Sequence, residues 1–388
     1  ACERCDATDI ACDAGGACAP AVPARTSLDV GHRHACVIVG DDGDLSCWGA
    51  NDSLQLGEAS GAAFVASPVH VHAGRNFLEA SAGEDHTCAI DWENRLFCWG
   101  GRTNFQVGDG VGGVSATPIA TAVEVLAGTP IAEVATGPQH TCAVDRAQVL
   151  WCWGQNSDGR AGQPLSSFVR EPTVVSEPSS GWDRIEAFSR HTCGARAGEL
   201  HCWGLNRTLQ LGTGDGADSA FVPSPLALGL EGFPLSFATG GLATCAVLRS
   251  EDGAASGPLH CWGANGYGQL GRAEGTPATD RIGGWDDWSR VAAGENHTCG
   301  IREGGALYCW GRNEAGQLGV GVVSERVSPP ARVGDRSDWI AVDAGSDFTC
   351  GVRAGGTLWC WGNGAEGRTG SEGDAVVTTP RRVLMSAP

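Results

Sequence analysis

The stretch "GEDHTCAIDWENRLFCWG", residues 83–100, contains two short apolar runs, "TCAI" and "LFCW", joined through the polar segment "DWEN". Two such runs around a polar turn are typical of a β-hairpin. Cys88 and Cys98 lie one in each run, so their side chains are expected to face each other. Opposed Cα atoms of antiparallel strands lie about 4.5–5.5 Å apart, within the roughly 4.4–6.8 Å that a disulfide accepts. The stretch therefore predicts a hairpin closed by a disulfide.

The same phrase recurs along the chain, so that seven cysteines are followed directly by Trp-Gly, at intervals of 48–59 residues. Each of them has a partner cysteine 9–16 residues upstream. This variable spacer fits two positions that oppose each other across a turn of variable length. We therefore predict seven hairpin disulfides: Cys36–Cys47, Cys88–Cys98, Cys142–Cys152, Cys193–Cys202, Cys245–Cys261, Cys299–Cys309 and Cys350–Cys360.

A zinc site is the alternative, because histidine and cysteine recur together as "DHTC", "QHTC", "RHTC" and "NHTC". Structural zinc sites need four ligands with tight local spacing, which the repeats do not offer. The histidine is also replaced by Ala243 in the fifth repeat and by Phe348 in the seventh, while both cysteines stay. We therefore interpret the histidine as a packing or hydrogen-bonding residue of each unit and expect no metal site.

Residues 1–24 form a separate Cys-rich segment with too little apolar material for a core. Two bridges in one of three connectivities would hold its four cysteines, Cys2, Cys5, Cys12 and Cys18. "CERC" has a redox or haem spacing, but no histidine follows it, so structural bridges are preferred. The acidic residues do not have the spacing of an EF-hand loop: Glu3, Asp6, Asp9 and Asp13. We predict nine disulfides in all and no free thiol.

Composition limits the class of protein. The 388 residues carry 18 cysteines, and the many predicted disulfides favour an oxidising, extracellular or cell-surface location. The net charge is −19, and all 26 basic residues are arginines, since the chain contains no lysine. Because binding to nucleic acid depends on neutralising phosphates, such a chain is a poor candidate for it or for an anionic membrane. No apolar run is long enough to span a membrane.

Each unit of about 50 residues contains four short strand-like runs, such as "SRVAAG", "HTCGI", "ALYCWG" and an outer run around "SPPARV" in the sixth. Four strands per unit, repeated around a ring, predict an all-β propeller. Segments such as "WGANDSLQLG" (48–57) and "WGRNEAGQLG" (310–319), each preceded by a "GxxHTCAx"-type strand, resemble the repeats of the regulator-of-chromosome-condensation family. The resemblance covers residues 26–388 and implies a seven-bladed β-propeller.

The resemblance says little about function. The best-known activity of the family is nucleotide exchange on the GTPase Ran together with chromatin binding. That activity is intracellular and does not fit a disulfide-rich, acidic chain. The tryptophans of the repeat are expected to pack between blades, because a packing rule recurs at every unit whereas a binding site is local: Trp48, Trp99, Trp153, Trp203, Trp262, Trp310 and Trp361.

The ends of the chain suggest how the ring closes. The final run "AVVTTPRRVLM" matches the outer runs of other units, whereas the first repeat has no equivalent before it. We therefore expect a propeller domain over residues 25–388, closed by pairing of the N- and C-terminal strands, with the strand around Val383 completing the first blade. The fifth hairpin carries an insertion, "SEDGAASG", which we interpret as a tolerated loop and not a contact loop.

No nucleophile–base pair, phosphate loop or metal-ligand cluster stands out, so the sequence predicts no catalytic residue and no cofactor. We expect a secreted or cell-surface propeller that acts as a non-catalytic scaffold for a protein partner. The alternative is a structural subunit that assembles with itself into an extracellular filament or layer through residues 1–24. A heterologous contact of that kind could extend indefinitely.

Overall fold

The computed structural model describes residues 26–388, except 41, 59, 73, 176–178, 213–220, 229, 231, 250–253, 273–280, 374 and 386–388. It also describes two short strands before them, Ala11–Cys12 and Cys18–Ala19, which pair antiparallel. The predicted bridges of the N-terminal segment, and the first half of the insertion in the fifth hairpin, lie outside the described residues.

Seven antiparallel sheets follow one another along the chain, and each sheet is a blade. Their strands are Thr26–Val30, His34–Val39, Leu45–Ala50 and Phe64–His70 in blade 1; Phe77–Ala82, His86–Asp91, Leu96–Gly100 and Ile119–Val125 in blade 2; Ile131–Thr136, His140–Asp145, Leu150–Gln155 and Phe168–Val174 in blade 3; Trp182–Ala187, His191–Arg196, Glu199–Leu205 and Phe221–Ala227 in blade 4.

Blade 5 shows three strands among the described residues, Phe233–Thr239, Ala243–Arg249 and Leu259–Gly263. Blade 6 has Trp288–Ala293, His297–Arg302, Leu307–Asn313 and Ser324–Arg332, and blade 7 has Trp339–Ala344, Phe348–Arg353, Thr357–Asn363 and Val376–Arg382. Short 3₁₀ turns lie at Ile282–Gly284 and Ala365–Gly367. Within the described ranges, no helix is long and apolar enough to cross a membrane.

The seven predicted hairpin disulfides are confirmed. In each blade the two cysteines are direct partners in the register of the second and third strands, as Cys88 is of Cys98. The Cα atoms of each pair lie 4.1 Å apart. All fourteen cysteines of these bridges are at most 1% exposed. The bridge therefore joins the two central strands inside the packed layer between blades.

The repeated tryptophan joins neighbouring blades, as expected from its recurrence. The Nε1 of Trp99 in blade 2 donates to the carbonyl of Gln55 in the preceding blade at 2.9 Å, and Trp153 donates in the same way to Gln106. The remaining five bonds have the same form: Trp48 to Arg368, Trp203 to Arg160, Trp262 to Gln210, Trp310 to Gln269 and Trp361 to Gln317. A buried indole N–H needs a partner, and the neighbouring blade supplies it.

The repeated histidine takes part in the same junction. The hydroxyl of Thr87 in blade 2 donates to the carbonyl of Gln55 at 2.7 Å, so its oxygen accepts from the Nε2–H of His34 in blade 1, 2.8 Å away. The same arrangement recurs between His86 and Thr141, His140 and Thr192, His191 and Thr244, and His297 and Thr349. The prediction of a hydrogen-bonding histidine at a fixed place is thus confirmed.

The expected closure by strand pairing is wrong. The C-terminal strand Val376–Arg382 pairs with Thr357–Asn363 of its own blade, and Thr26–Val30 pairs with His34–Val39. The outer edge of the first blade is already occupied by Phe64–His70, so that sheet has no position for a C-terminal strand.

The ring closes instead by packing of blade 7 against blade 1. The bond from Trp48 Nε1 to the carbonyl of Arg368 crosses this junction, and Arg33 forms an ion pair of 2.6 Å with Glu366. Val383, on which the expectation rested, lies in one core cluster with Trp48. The two ends of the ring therefore meet through the same kind of tryptophan–carbonyl bond that joins the other pairs of blades.

Candidate functional site at the propeller axis

The first strands of the seven blades surround an axial cavity of about 400 Å³. Two layers of inner-strand side chains line it, at alternating positions as the period of a strand requires. The mouth layer lies seven residues before the histidine position of each blade: Ser27, Glu79, Glu133, Arg184, Ser236, Arg290 and Ala341. The deep layer lies five residues before it: Asp29, Ser81, Ala135, Glu186, Ala238, Ala292 and Asp343.

One end of the cavity is closed. Where each inner strand ends, six blades have a glycine, and a Cβ on Gly31 would lie 2.3 Å from the carbonyl oxygen of Gly83, so the strand ends meet as only glycine permits. Blade 4 has Phe188 at this place, and its ring stacks on His32 of blade 1 with centroids 4.4 Å apart. A space of about 30 Å³ remains between Phe188 and the deep layer. We call this end of the propeller the closed face and the opposite end the open face.

Five carboxyl groups line the cavity, against two arginines. Burial raises the pKa of Asp29 to about 7 and the pKa values of Glu79, Glu133 and Glu186 to about 8. Burial, with repulsion from Asp29, also raises the pKa of Asp343 well above its usual value. Among the described residues, no group of three or more histidine, cysteine or acidic side chains is arranged to hold a metal ion.

Four of these carboxyl groups have an evident structural role, including Glu133, which accepts the N–H of Ile185 in the next blade. The inner strand of each blade has a free edge, whose N–H groups need acceptors. Asp29 accepts the N–H of Ala82 in the next blade at 2.7 Å, and Glu79 accepts that of Val134 at 3.1 Å. Asp343 accepts the N–H of Val30 across the ring closure. These side chains join the inner strands of neighbouring blades.

Glu186 does not follow this pattern. In the described chain it accepts no backbone N–H, and its charged neighbour is Arg184, 3.6 Å away. At the equivalent junction between blades 2 and 3, Ser81 and Thr136 share a hydrogen bond of 2.9 Å. Thr239 occupies the place of Thr136 beside Glu186, but its Oγ1 has no hydrogen-bond partner among the described residues, and the residue is 2% exposed. Both groups therefore keep unused polar atoms at the deep end of the cavity.

The two arginines lie in the mouth layer. Arg184 donates to the carbonyl of Leu235 at 3.1 Å and lies 3.7 Å from Glu133. Arg290 has no ion-pair partner within the described part of the chain, and burial together with Arg184 lowers its pKa. Positive charge is therefore confined to the mouth, whereas the ionisable groups of the deep layer are all acidic.

The closed face also carries most of the exposed apolar side chains. Of the eleven large hydrophobic side chains that are exposed in the described residues, eight lie between the third and fourth strands of a blade or at the start of a fourth strand. They are Phe64, Val111, Val114, Leu165, Leu209, Val322, Val323 and Val376. Because the fourth strand starts where the first strand ends, all eight belong to the closed face.

Sequence reasoning did not single out any of the axial residues. The signal was nevertheless present in the alignment of the repeats, because the inner-strand positions are the ones that differ between units while Trp, Cys and Gly recur. Phe188 is the plainest case, since the other six repeats have glycine there. Their common location became evident only when the strands were arranged around an axis.

The geometry defines a seven-bladed β-propeller with a polar axial channel that is closed at one end. The chain matches the regulator of chromosome condensation (RCC1) repeat at residues 42–90 and 304–352, and a second form of that repeat at 131–160, 288–317 and 339–368. The protein is thus a seven-bladed propeller that contains RCC1 repeats.

Individual relatives agree with this assignment. The chain is 27% identical over 362 residues to the Ultraviolet-B receptor UVR8 of Arabidopsis thaliana, which covers 88% of this chain and 78% of UVR8. Its structure is similar to human WBSCR16, with a TM-score of 0.74, 21% identity, and coverage of 85% and 87%. It also resembles yeast RCC1 (Prp20) bound to Kap60, with a TM-score of 0.54, 19% identity, and coverage of 92% and 74%. At these identities the solved structures show the fold.

Proposed function

We propose that the protein is a secreted or cell-surface propeller that binds another protein through its closed face, without catalysing a reaction. The observation that carries the proposal is the concentration of eight exposed apolar side chains on that face. Exposed apolar side chains that gather on one face favour that face as a protein–protein contact surface. The yeast propeller that was solved with Kap60 shows that one protein of this fold binds a protein partner.

The disulfides support the location. One buried bridge lies in every blade, and such bridges persist where the surroundings are oxidising. Trapping of free thiols in intact cells, followed by fractionation and mass spectrometry, tests this part. We expect the oxidised chain outside the cytoplasm, and a reduced cytoplasmic chain would contradict it.

The binding face is tested by photo-crosslinking. A photoreactive residue at Val114, which is fully exposed on the closed face, should crosslink to a partner in the native extracellular fraction. The matched probe at Phe233, which lies at the start of an inner strand on the open face, should not. Replacing Val322 and Val323 with serine should abolish the crosslink. Equal crosslinking from both faces would contradict the proposal.

Self-assembly is the competing function. Light scattering of the intact chain and of a chain that lacks residues 1–24 distinguishes the two. Equal monomer masses for both chains are expected from the proposal. A large particle that disappears on truncation would instead establish a filament or layer built through the N-terminal segment.

A further inference from the structure

We propose that the deep end of the axial channel binds a primary alkyl ammonium group, which belongs either to a free aliphatic diamine or to a lysine side chain of another molecule. This inference goes beyond the proposed protein-binding function and does not depend on it, because the channel opens at the face opposite to the apolar one.

The charges at the deep end fit a cation. Asp29, Glu186 and Asp343 face one another in one layer, and each repels the others. The ring of Phe188 closes the end above them. Carboxylates around an aromatic face form a favourable surrounding for an ammonium group. The arginines lie one layer further out, at the mouth, so the ionisable side chains around a ligand at the closed end are acidic, which disfavours an anion there.

An unused hydrogen-bonding group points to a ligand independently of the charges. Thr239 lines the same deep space, is 2% exposed, and leaves its Oγ1 without a partner among the described residues. Buried hydroxyl groups in native proteins are almost always hydrogen-bonded. An ammonium group has three N–H donors, so it can bond both Thr239 and Glu186, at the place where the junction between blades 2 and 3 has its Ser81–Thr136 bond.

The shape selects a linear chain. A cavity of about 400 Å³ that is closed at one end can hold an extended aliphatic chain, and the ammonium group at the end of that chain enters first. A second ammonium group would then lie at the mouth layer, beside Glu79 and Glu133. The described residues do not form a metal-ion site, so a compact divalent cation is not the ligand we infer. The chain itself has no lysine, so the side chains of a second copy cannot supply the ammonium group.

The test is calorimetric titration of the full chain with 1,4-diaminobutane at pH 8 in about 0.3 M NaCl, which screens binding to the acidic surface. Glu186→Gln should weaken binding by about tenfold, since it removes the charge at the deep end. Thr239→Val should also weaken it. The matched control is Glu325→Gln, which removes an exposed charge on an outer strand and should leave the affinity within about twofold.

Proton release distinguishes the channel from surface attraction. A cation in the channel should ionise Glu186, whose pKa of about 8 leaves it largely protonated at pH 7, so about one proton should be released per amine bound at that pH. Exposed carboxylates are already ionised and release none. The titratable and charged groups that line the channel are Asp29, Glu79, Glu133, Arg184, Glu186, Arg290 and Asp343. His32 lies at the closed end, where burial lowers its pKa to about 4. Measurement in two buffers of different ionisation enthalpy gives the number.

The source of the amine is settled with a second probe, the capped peptide Gly-Gly-Lys-Gly-Gly. Binding of both probes with the same sensitivity to Glu186→Gln assigns the site to lysine side chains as well as to free diamines. Binding of diaminobutane alone assigns it to free amines. No binding of either probe at millimolar concentration, or equal affinity of the native chain and Glu186→Gln, would overturn the proposal.

Discussion

At the junctions between blades, a tryptophan donates to a carbonyl of the preceding blade at each of the seven positions, and five histidines bond a threonine of the next blade. Along the axis, by contrast, no residue type occupies all seven positions of either layer. Both regions come from the same repeats, and the axial and junction residues of one blade lie within 26 residues of each other in sequence.

The difference shows that the residues of the junctions and those of the axis are constrained in different ways. A junction has the same geometry in every blade, so the same residues solve it each time. All seven blades line the same axial channel. A side chain from one blade can therefore contribute to the channel without an equivalent side chain in the other six. We infer that the repeated residues maintain the ring, whereas the axial residues that differ between blades determine what enters the channel.

The largest effect on stability is expected from a substitution at a junction between blades. Trp203→Ala removes a fully buried indole and its bond to the carbonyl of Arg160. We expect the free energy of unfolding in urea to fall by about 3–5 kcal/mol, the usual cost for such a truncation. Phe233→Ala, at an exposed position, should cost no more than about 1 kcal/mol. Equal losses for both variants would show that the junction is not what holds the blades together.

Removal of one bridge should have a smaller effect. The double change Cys142→Ala with Cys152→Ala opens a loop of 10 residues. In the chain-entropy model this loop is worth roughly 2–3 kcal/mol, and a hairpin that is already locally closed should lose the lower value. Urea unfolding of the double variant under non-reducing conditions measures the loss. A loss above that of Trp203→Ala would reverse the ranking of the two contacts.

The stabilising contribution of a junction histidine should decrease at acid pH. Burial lowers the pKa of His191 to about 3, so the unfolded chain takes up a proton on this residue as the pH falls below about 6.5, and the folded chain does not. Its contribution to stability is therefore present above pH 6.5 and is lost between about pH 6.5 and 3.

The variant His191→Phe, which copies Phe348 of blade 7, should lose about 1 kcal/mol at pH 7 through the missing bond to Thr244. Its unfolding free energy should then fall less steeply than that of the native chain from pH 6.5 to 4. Parallel pH profiles for the two chains would contradict a neutral, buried histidine at the junction.

The stabilising contribution of the axial Glu186 should respond to pH in the opposite direction. Burial raises the pKa of Glu186 from 4.5 to about 8, so the folded chain binds the proton more tightly than the unfolded one. The contribution of this group to the free energy of unfolding is greatest below about pH 4.5 and is lost as the pH rises towards 8. The unfolding free energy of Glu186→Gln should therefore match that of the native chain at pH 4.5 and exceed it at pH 8. A variant that is less stable at pH 8 would show that the charged carboxylate supports the fold.

Most of the fold could be predicted from the sequence because its determinants recur. The pairing of Cys88 with Cys98 and the packing role of Trp99 followed from a phrase present in every unit. Ring closure could not be predicted in the same way. The run around Val383 resembles every other outer strand, and the sequence pattern does not state which sheet has an unoccupied edge. The structure shows that Phe64–His70 occupies the edge in question.

The axial site escaped prediction for a different physical reason. Asp29, Glu186 and Asp343 are separated by more than 150 residues, and each lies in an unremarkable short strand. Their mutual repulsion and raised pKa values arise only when seven strands surround one axis. Phe188 closes that axis by departing from the glycine of the other repeats, which is a signal only after the repeat has been aligned on the structure.

The most direct test of the central claim is an NMR titration of the side-chain carboxyl carbons in the native chain. The axial glutamates, Glu79, Glu133 and Glu186, should titrate near pH 8, apart from the exposed acidic residues near pH 4. Addition of 1,4-diaminobutane should move the Glu186 titration towards lower pH. Titration of every carboxyl group between about pH 3 and 5, without a response to the diamine, would contradict a buried acidic channel that accepts a cation.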